Sequence, residues 1–442
     1  MANLLAVVAV FFSAVAFRVL GVTIALTGIV VLGLFMLPRS NLLGSLGLSV
    51  PIATAAMVLV GVIAVFGRKG KTFPLAFLPL IIYLFILMIF GWTNVDASTW
   101  NSFLTYVIAA LAFGAGLYIA ARHQENPRFD RWFVLLLLAA ALFQTAVAAL
   151  QTVGVDLFPS QETTTDFTEG RASGSFGHPG NLGKAILFLI VLVLPLTKSA
   201  DTAARRLSFV TLGVALLPVA LSVSRTNFVV VGMVLVLWAL LLPRSSKIGG
   251  RVALVGAVGV VGFLFADQFI GRLTADPAGG ARERLSAVAL EHIPDNLLLG
   301  VGPGGYIPYF GQFDSLTGSG WPVHNMFLLA LAELGVVGIV LLLLPTVVYV
   351  LRSLGMLRAK DDRANYARAL ILMSLAVVVV GLTSWGMLSG SMMYLWFFTL
   401  GYLARRAFTA PPQIELPETV ETTARAVPGN RRPLPSAAAT GR

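Results

Sequence analysis

The chain lacks cysteine and has few charged residues. There is no Cys among its 442 residues, which excludes disulfides, iron–sulfur clusters and thiol nucleophiles. Only 12% of the residues are charged, whereas 57% are hydrophobic. A water-soluble chain of this length would place far more charge on its surface. The composition therefore predicts a membrane protein, and it leaves the redox compartment open.

Long apolar runs recur along the whole sequence. A run of about 20 apolar residues can cross a hydrocarbon core of roughly 30 Å as a helix, because a helix satisfies its own backbone polar groups. We therefore predict an all-α, polytopic membrane protein of about 12 transmembrane helices in the lipid bilayer. Residues 1–18 are also apolar, and they would form a thirteenth span or extend the first. The predicted spans are 19–37, 46–66, 73–91, 102–121, 132–152, 183–198, 207–222, 226–243, 252–268, 324–351, 369–388 and 391–404.

The basic residues indicate how the chain is oriented. Of 31 Lys and Arg residues, 23 lie in alternate short loops and in the C-terminal tail. Positively charged loops remain on the cytoplasmic side, so these loops and the C-terminus are predicted to be cytoplasmic. The net charge of +11 therefore indicates topology rather than binding of nucleic acid. We expect a transmembrane domain over 1–404 and a disordered, basic cytoplasmic tail over 405–442.

Two long loops, at about 153–182 and about 269–323, lie on the opposite face in this topology. The second is expected to be partly helical. Long loops with their own sequence character are often functional. Arg225 lies in a short polar break between two apolar runs. A charge there costs free energy unless it is paired with an opposite charge, extends to the membrane interface or binds a ligand. Arg225 is either a bidentate phosphate ligand or an interfacial anchor at a tight hairpin. The two long loops themselves contain, among their basic residues, Arg171, Arg282 and Arg284.

His324 lies where the chain re-enters the membrane. A neutral imidazole there could take a proton from a hydroxyl group, and the alternative is an interfacial His bound to a neighbouring loop. The glycine-dense segment 300–305 either brings backbone N–H groups close to an anion or forms a plain tight turn. Asn181 is expected to cap the helix that follows it. The acidic residues of the outer loops show no metal-ligand spacing, so we predict no metal site.

A set of spaced motifs extends over residues 160–340. It consists of Arg171 with Ser173 to Pro179, Ser222-Val223-Ser224-Arg225, Arg284, Pro294, Gly300-Val301-Gly302-Pro303-Gly304, His324-Asn325-Met326-Phe327-Leu328, Glu333-Leu334-Gly335 and Gly338. As a set, these motifs resemble the O-antigen ligase and polysaccharide polymerase superfamily. Two positions depart from it: either member of the Arg282 and Arg284 pair could match the family's arginine, and the aromatic that often follows that arginine is missing.

The resemblance implies a GT-C-type membrane fold and an inverting, metal-independent lipid-linked-glycan transferase without a cofactor. Its donor would be an undecaprenyl pyrophosphate-linked glycan, and its acceptor a hydroxyl of a glycan, glycolipid or protein. The reaction would occur on the periplasmic or extracellular face of the bacterial cell (inner) membrane. His324 would be the base or would position the acceptor. The implied pyrophosphate ligands are Arg225, Arg284, Arg282 and Arg171, and the further candidates are His178, Asn325, Gly302 and Gly304.

The main alternative is a transporter or flippase of lipid-linked oligosaccharide. Transporters place charged residues or broken helices near the middle of the bilayer. Here the predicted spans are apolar at their centres, and the polar residues gather at the outer rim. This pattern favours glycosyl transfer over transport. A peptidoglycan polymerase would use the same type of donor, but its signatures do not match, and the choice between ligase and polymerase stays open.

Overall fold

The computed structural model describes most of the chain. The predictions for residues 1–18 and for the tail from 410 onward fall outside the described residues, as do parts of both long loops. The described residues are 21–39, 41–43, 48–66, 75–89, 97–126, 128–158, 171–242, 248–267, 270–271, 281–359 and 361–409.

The described residues are mostly helical. In chain order the α-helices are α1 (Val22–Val31), α2 (Ile52–Phe66), α3 (Leu78–Ile89), α4 (Ala97–Gln124), α5 (Phe129–Thr152), α6 (Pro179–Val193), α7 (Thr202–Leu221), α8 (Arg225–Leu241), α9 (Ile248–Leu264), α10 (Arg282–His292), α11 (Tyr306–Phe310), α12 (Ser315–Gly318), α13 (Met326–Leu354), α14 (Asp362–Thr383) and α15 (Gly390–Phe408). A π-helical segment extends α1, and 3-10 turns include Gly174–Phe176, Leu194–Lys198 and Trp385–Leu388.

Strands are minor in the described part of the chain. Two short strands, β1 (Asn41–Leu43) and β2 (Leu48–Pro51), form one antiparallel pair. The all-α prediction is therefore confirmed apart from this ribbon.

Several helices are suited to cross a membrane, which agrees with a multi-pass membrane protein. In the described part of the chain, 6 helices are long and apolar enough: Ser98–Gln124, Phe129–Thr152, Pro179–Lys198, Thr202–Leu221, Met326–Leu354 and Asp362–Thr383. Five more predicted spans coincide with shorter apolar helices, and the last coincides with α15. A helix of 15 residues is about 22 Å long, less than the roughly 30 Å of a hydrocarbon core. The count of twelve spans and the GT-C type remain predictions.

Glycine allows the closest helix packing. A Cβ atom at Gly116 of α4 would overlap the carbonyl oxygen of Phe398 in α15, and one at Gly401 would overlap that of Phe113. Small residues let helix backbones approach one another in this way. Helix α15 is buried along most of its length. It extends to Phe408, beyond the expected boundary at 404.

Helix α13 is broken at Gly335, where φ is 64° and ψ is −176°. The freed backbone groups bond to the preceding loop. The bonds are Val301 N to Ala332 O (2.9 Å), Gly302 N to Glu333 O (2.8 Å), Val336 N to Leu297 O (2.9 Å) and Val337 N to Leu298 O (3.3 Å). A Cβ at Gly300 or at Gly335 would lie 2.6 Å from the other glycine's nitrogen. Non-helical backbone at membrane depth needs such internal partners, so the break and the loop require each other.

The second long loop packs onto the start of α13. An apolar cluster joins α10 and α11 to the first turns of α13; it consists of Ala289, Ile293, Tyr306, Phe310, Val323, Leu329 and Ala332. This cluster fixes the position of α10 relative to His324, which lies between Val323 and the beginning of α13.

Candidate functional site

Two glutamines of α5 hold the end of the first long loop. The Gln151 amide oxygen accepts the N–H groups of Ser173 (2.9 Å) and Gly174 (2.8 Å). Gln144 is buried and accepts the N–H of Ser175 at 3.1 Å. Because residues seven apart lie on one face of a helix, α5 presents both amides to the same loop. The segment from Arg171 to His178 is thereby placed at the start of α6.

His178 caps α6, so the expectation that Asn181 would cap this helix is wrong, and His178 lies among basic side chains. Its Nδ1 accepts the N–H of Gly180 at 2.9 Å. Burial, and then the charges of Lys184, Arg171, His324 and Arg39, lower the pKa of His178 to about 3. The ring is therefore neutral near pH 7. This shift indicates that at least four other basic side chains lie near the loop end.

Lys184 is a basic residue buried inside a helix that is long and apolar enough to span a membrane, with 3% of its surface exposed. Its Nζ donates to Oδ1 of Asn181 at 3.1 Å. The ammonium group lies against the turn before α15, because a Cβ at Gly386 would be 2.5 Å from Nζ. Removing an ammonium group from water costs free energy unless an opposite charge offsets that cost. The sequence motifs indicate no role for Lys184, although a lysine inside an apolar run is a signal that could have identified it.

The turn between α7 and α8 is strained and contacts Arg171. Val223 has a φ of 45°, an unfavourable value for a β-branched residue. The Nε of Arg171 donates to the carbonyl of Ser222 at 3.1 Å. Asn227 Nδ2 donates to the carbonyl of Gly180 at 2.8 Å, which joins α8 to α6. Strain of this kind clusters at functional sites, and here it positions Arg225, the half-buried first residue of α8.

His324 lies at the entrance of α13, next to the capping residue Asn325. The Oδ1 of Asn325 accepts the N–H groups of Phe327 (2.9 Å) and Leu328 (3.2 Å). Burial and the charge of Arg282 lower the pKa of His324 to about 4, with a smaller contribution from Lys184. The ring stacks against Trp321, with ring centroids 6.2 Å apart. Its Nδ1 is buried and has no hydrogen-bond partner among the described residues.

Three helix N-termini meet around these side chains. Helix α6 begins beside His178, α8 begins at Arg225 and contacts α6 through Asn227, and α13 begins just after His324. His324 lies near enough to His178 that a protonated His324 would lower the pKa of His178. Helix N-termini have partial positive charge and favour anions. Together with the basic side chains, they suit a ligand with several negative charges.

Residues 207–343 match the family model of the O-antigen ligases. This match confirms the resemblance predicted from the sequence motifs. It extends from α7 into α13 and includes Arg225, Arg282, Arg284 and His324. No curated protein matches the chain at a significant level of similarity.

The O-antigen ligase match contains both arginines of α10, and the structure separates them. Residues two apart on a helix point to different sides. Arg284 Nε donates to Oδ1 of the buried Asp314 at 2.6 Å, in a salt bridge. The backbone N–H of Thr317, and then Arg284, hold the pKa of Asp314 low. Arg282 instead acts on the pKa of His324. Of the two, Arg282 is therefore the one that faces the candidate site.

The glycine-rich loop of the O-antigen ligase match serves the fold. The N–H of Gly302 donates to the backbone of α13, and that of Gly304 donates to the Glu333 carboxyl group. Both glycines have positive φ, 92° at Gly302 and 75° at Gly304. These N–H groups are engaged within the protein, so the structure favours the turn interpretation over direct anion binding.

The site therefore brings together most of the predicted residues and adds others. Arg171, His178, Arg225, Arg282, His324 and Asn325 lie around one end of the helix bundle, which we call the His324 end. Arg39, Lys184 and the two glutamines of α5 were not proposed from sequence. The Arg39 guanidinium donates to the carbonyl of Phe176 at 3.0 Å, a contact between residues 137 apart in the chain that no local motif predicts.

Proposed function

We propose that the protein is an inverting, metal-independent glycosyltransferase of the O-antigen ligase or polysaccharide polymerase type. It takes a glycan from undecaprenyl pyrophosphate and transfers it to a hydroxyl of a glycan, glycolipid or protein acceptor. The supporting observation is the cluster of basic side chains and helix N-termini beside a neutral, half-buried His324.

The proposed reaction is a single displacement. The acceptor oxygen bonds to the anomeric carbon from one face while the bond from that carbon to the pyrophosphate oxygen breaks on the other face. The hydroxyl proton goes to His324, and undecaprenyl pyrophosphate leaves with the bonding electrons. Fixed cations oppose the negative charge that develops on the leaving group, which lowers the barrier. Arg225 is the primary pyrophosphate ligand in this proposal, supported by Arg171, Lys184 and Arg282.

The pKa of His324 fits a general base whose proton affinity rises when the substrate binds. In the free protein the pKa is lowered to about 4, so the ring is neutral near pH 7. The pyrophosphate anion would offset the positive charges that lower this pKa, and the pKa would rise when the donor binds. His324 then becomes a better proton acceptor when the reaction requires one.

The same proposal includes the cellular location and the orientation of the protein. The His324 end faces the periplasm or the cell exterior at the bacterial inner membrane, and the C-terminus is cytoplasmic. The lipid part of the donor lies between helices, so its pyrophosphate reaches the site from the membrane surface. The distribution of Lys and Arg residues along the sequence supports this orientation.

A transfer assay in liposomes tests the proposal. The purified protein is mixed with the host's undecaprenyl pyrophosphate-linked glycan and its envelope acceptor, and released undecaprenyl pyrophosphate is measured. Release by the wild type, undiminished by a chelator, is expected, and a product ladder would indicate a polymerase. Loss of activity on chelation with rescue by Mg²⁺ would contradict metal independence. Movement of the lipid across the bilayer without release would instead identify a flippase.

A further inference from the structure

A cavity of about 560 Å³, lined by both polar and apolar residues, lies next to the proposed catalytic site. It lies between the first turns of α4, the start of α13, and the turn before α15. The lining includes Ser98, Asn101, Ser102, Pro322, Glu333 and Trp385. Its volume is within the range of roughly 300–1,000 Å³ that is usual for small-molecule sites.

The cavity borders the basic cluster on one side. Pro322 lines it and lies two residues before His324. Trp385 also lines it, and the adjacent Gly386 contacts Lys184. The segment leading to His324 and the turn before α15 therefore separate the cavity from the cations, so that His324 stands at the border between the two.

The lining offers hydrogen-bond partners but no basic side chain. The Glu333 carboxyl group accepts the N–H groups of Gly304 and Tyr306, and a carboxylate has about four acceptor positions, so further donors can be accommodated. The hydroxyls of Ser98 and Ser102 add donors and acceptors, and Trp385 adds an aromatic surface. Sugars present hydroxyl groups at their rim and C–H groups on their ring faces. A lipid tail would leave these polar groups without hydrogen-bond partners. A pyrophosphate does not fit here either, because the basic side chains that would bind it lie on the other side of the turn before α15.

We propose that this cavity binds a sugar residue of the acceptor glycan, with Glu333 accepting hydrogen bonds from its hydroxyls. This inference rests on the proposed function, because it assigns the acceptor to one side of His324 and the donor pyrophosphate to the other. Glu333 lies seven residues after Met326, the first residue of α13. Its place is fixed by the pairing of the glycine-rich loop with the broken helix.

Steady-state kinetics test the role of Glu333. Glu333→Gln should raise the KM for the acceptor several-fold, as expected when a hydrogen-bond acceptor for the sugar hydroxyls is weakened. The KM for the donor should stay unchanged. Glu291→Gln, an exposed carboxylate of α10, is the matched control and should have no effect. An unchanged acceptor KM in folded Glu333→Gln would overturn the assignment of this residue.

A second variant tests the cavity without relying on catalysis. Asn101 is exposed at the cavity, and Asn101→Trp should fill it without disturbing the core. The probe is the oligosaccharide released by mild acid from the host's envelope polysaccharide, and binding is measured by saturation-transfer NMR. The wild type should give a signal that Asn101→Trp abolishes, while Asn126→Trp, at an exposed position beyond the other end of α4, should retain it. Equal signals in all three would overturn the cavity assignment. A wild type that binds the sugar but releases no undecaprenyl pyrophosphate would instead refute the proposed function alone.

Discussion

The basic side chains at the two ends of the helix bundle have different partners. At the end that contains Arg406, called the Arg406 end, two arginines form ion pairs with carboxylates. Arg406 contacts Asp130 at 3.2 Å, and Arg363 contacts Asp361 at 2.8 Å. At the His324 end Arg284 also pairs with Asp314, but Lys184 donates to an amide oxygen, and the charges that lower the pKa of His178 are all positive.

This difference indicates what each end is selected for. Pairing a buried charge with an opposite one limits its desolvation cost, so the Arg406 end is arranged for stability. Gathering like charges opposes folding and is expected where a ligand supplies the missing charge. Changes at the His324 end should therefore affect activity more than stability, and changes at the Arg406 end should do the reverse.

The largest effect is expected for His324→Ala. Loss of a general base should lower kcat by roughly 10²–10⁴-fold, with little change in thermal stability. His292→Ala is the control, because His292 is in the same outer loop but stacks on Phe313, with ring centroids 3.7 Å apart. Undecaprenyl pyrophosphate release by equal amounts of each variant measures the effect. Near-normal kcat in His324→Ala would remove the proposed base.

Asp130→Asn should give the largest loss of stability. It leaves the partly buried Arg406 guanidinium without its carboxylate, and breaking such a pair typically costs about 3 kcal/mol. The midpoint of thermal unfolding in detergent should fall, while kcat per folded molecule stays the same. The control is Asp361→Asn, whose pair with Arg363 is more exposed and should contribute less. A loss of kcat in folded Asp130→Asn would contradict the division between the two ends.

Arg225→Lys tests whether the guanidinium geometry matters at the His324 end. An ammonium keeps the charge but cannot reproduce the two parallel hydrogen bonds that an arginine makes to a phosphate. We expect kcat/KM for the donor to fall roughly tenfold. The matched change Arg363→Lys at the Arg406 end should leave it unaltered. Full activity in Arg225→Lys would instead support the interpretation of Arg225 as an interfacial anchor.

The smallest effect is expected for Lys184→Met. The direction of its change in thermal stability is informative. Methionine has a similar shape and no desolvation cost, so thermal stability should stay equal or rise. The KM for the donor should increase several-fold because one cation of the pyrophosphate site is gone. Lower stability with an unchanged donor KM would show that Lys184 serves the fold. Thermal unfolding and donor titration on the same preparation distinguish the two outcomes.

Most of the helices could be predicted from sequence because an apolar run that enters a membrane has few alternatives to a helix. His324 and Arg225 could be proposed because each lies at the edge of such a run. The break at Gly335 could not, since it depends on backbone bonds to a loop about 35 residues earlier in the chain. For the same reason, only the structure distinguishes Arg282 from Arg284, whose partner Asp314 is 30 residues away. Long-range partners, rather than local patterns, decide the details of this site.

The contact between Gly386 and Lys184 has a consequence for biosynthesis. One wall of the proposed pyrophosphate site comes from α6, and another comes from the turn before α15, the last of the described helices. A ribosome adds about 5–20 residues per second, so the nascent chain stays in the translocation machinery for many seconds with the first wall made and the second still missing. If the proposed function is correct, the protein cannot consume a lipid-linked donor until nearly all of the chain has been inserted, and a chain that terminates early would leave that donor intact.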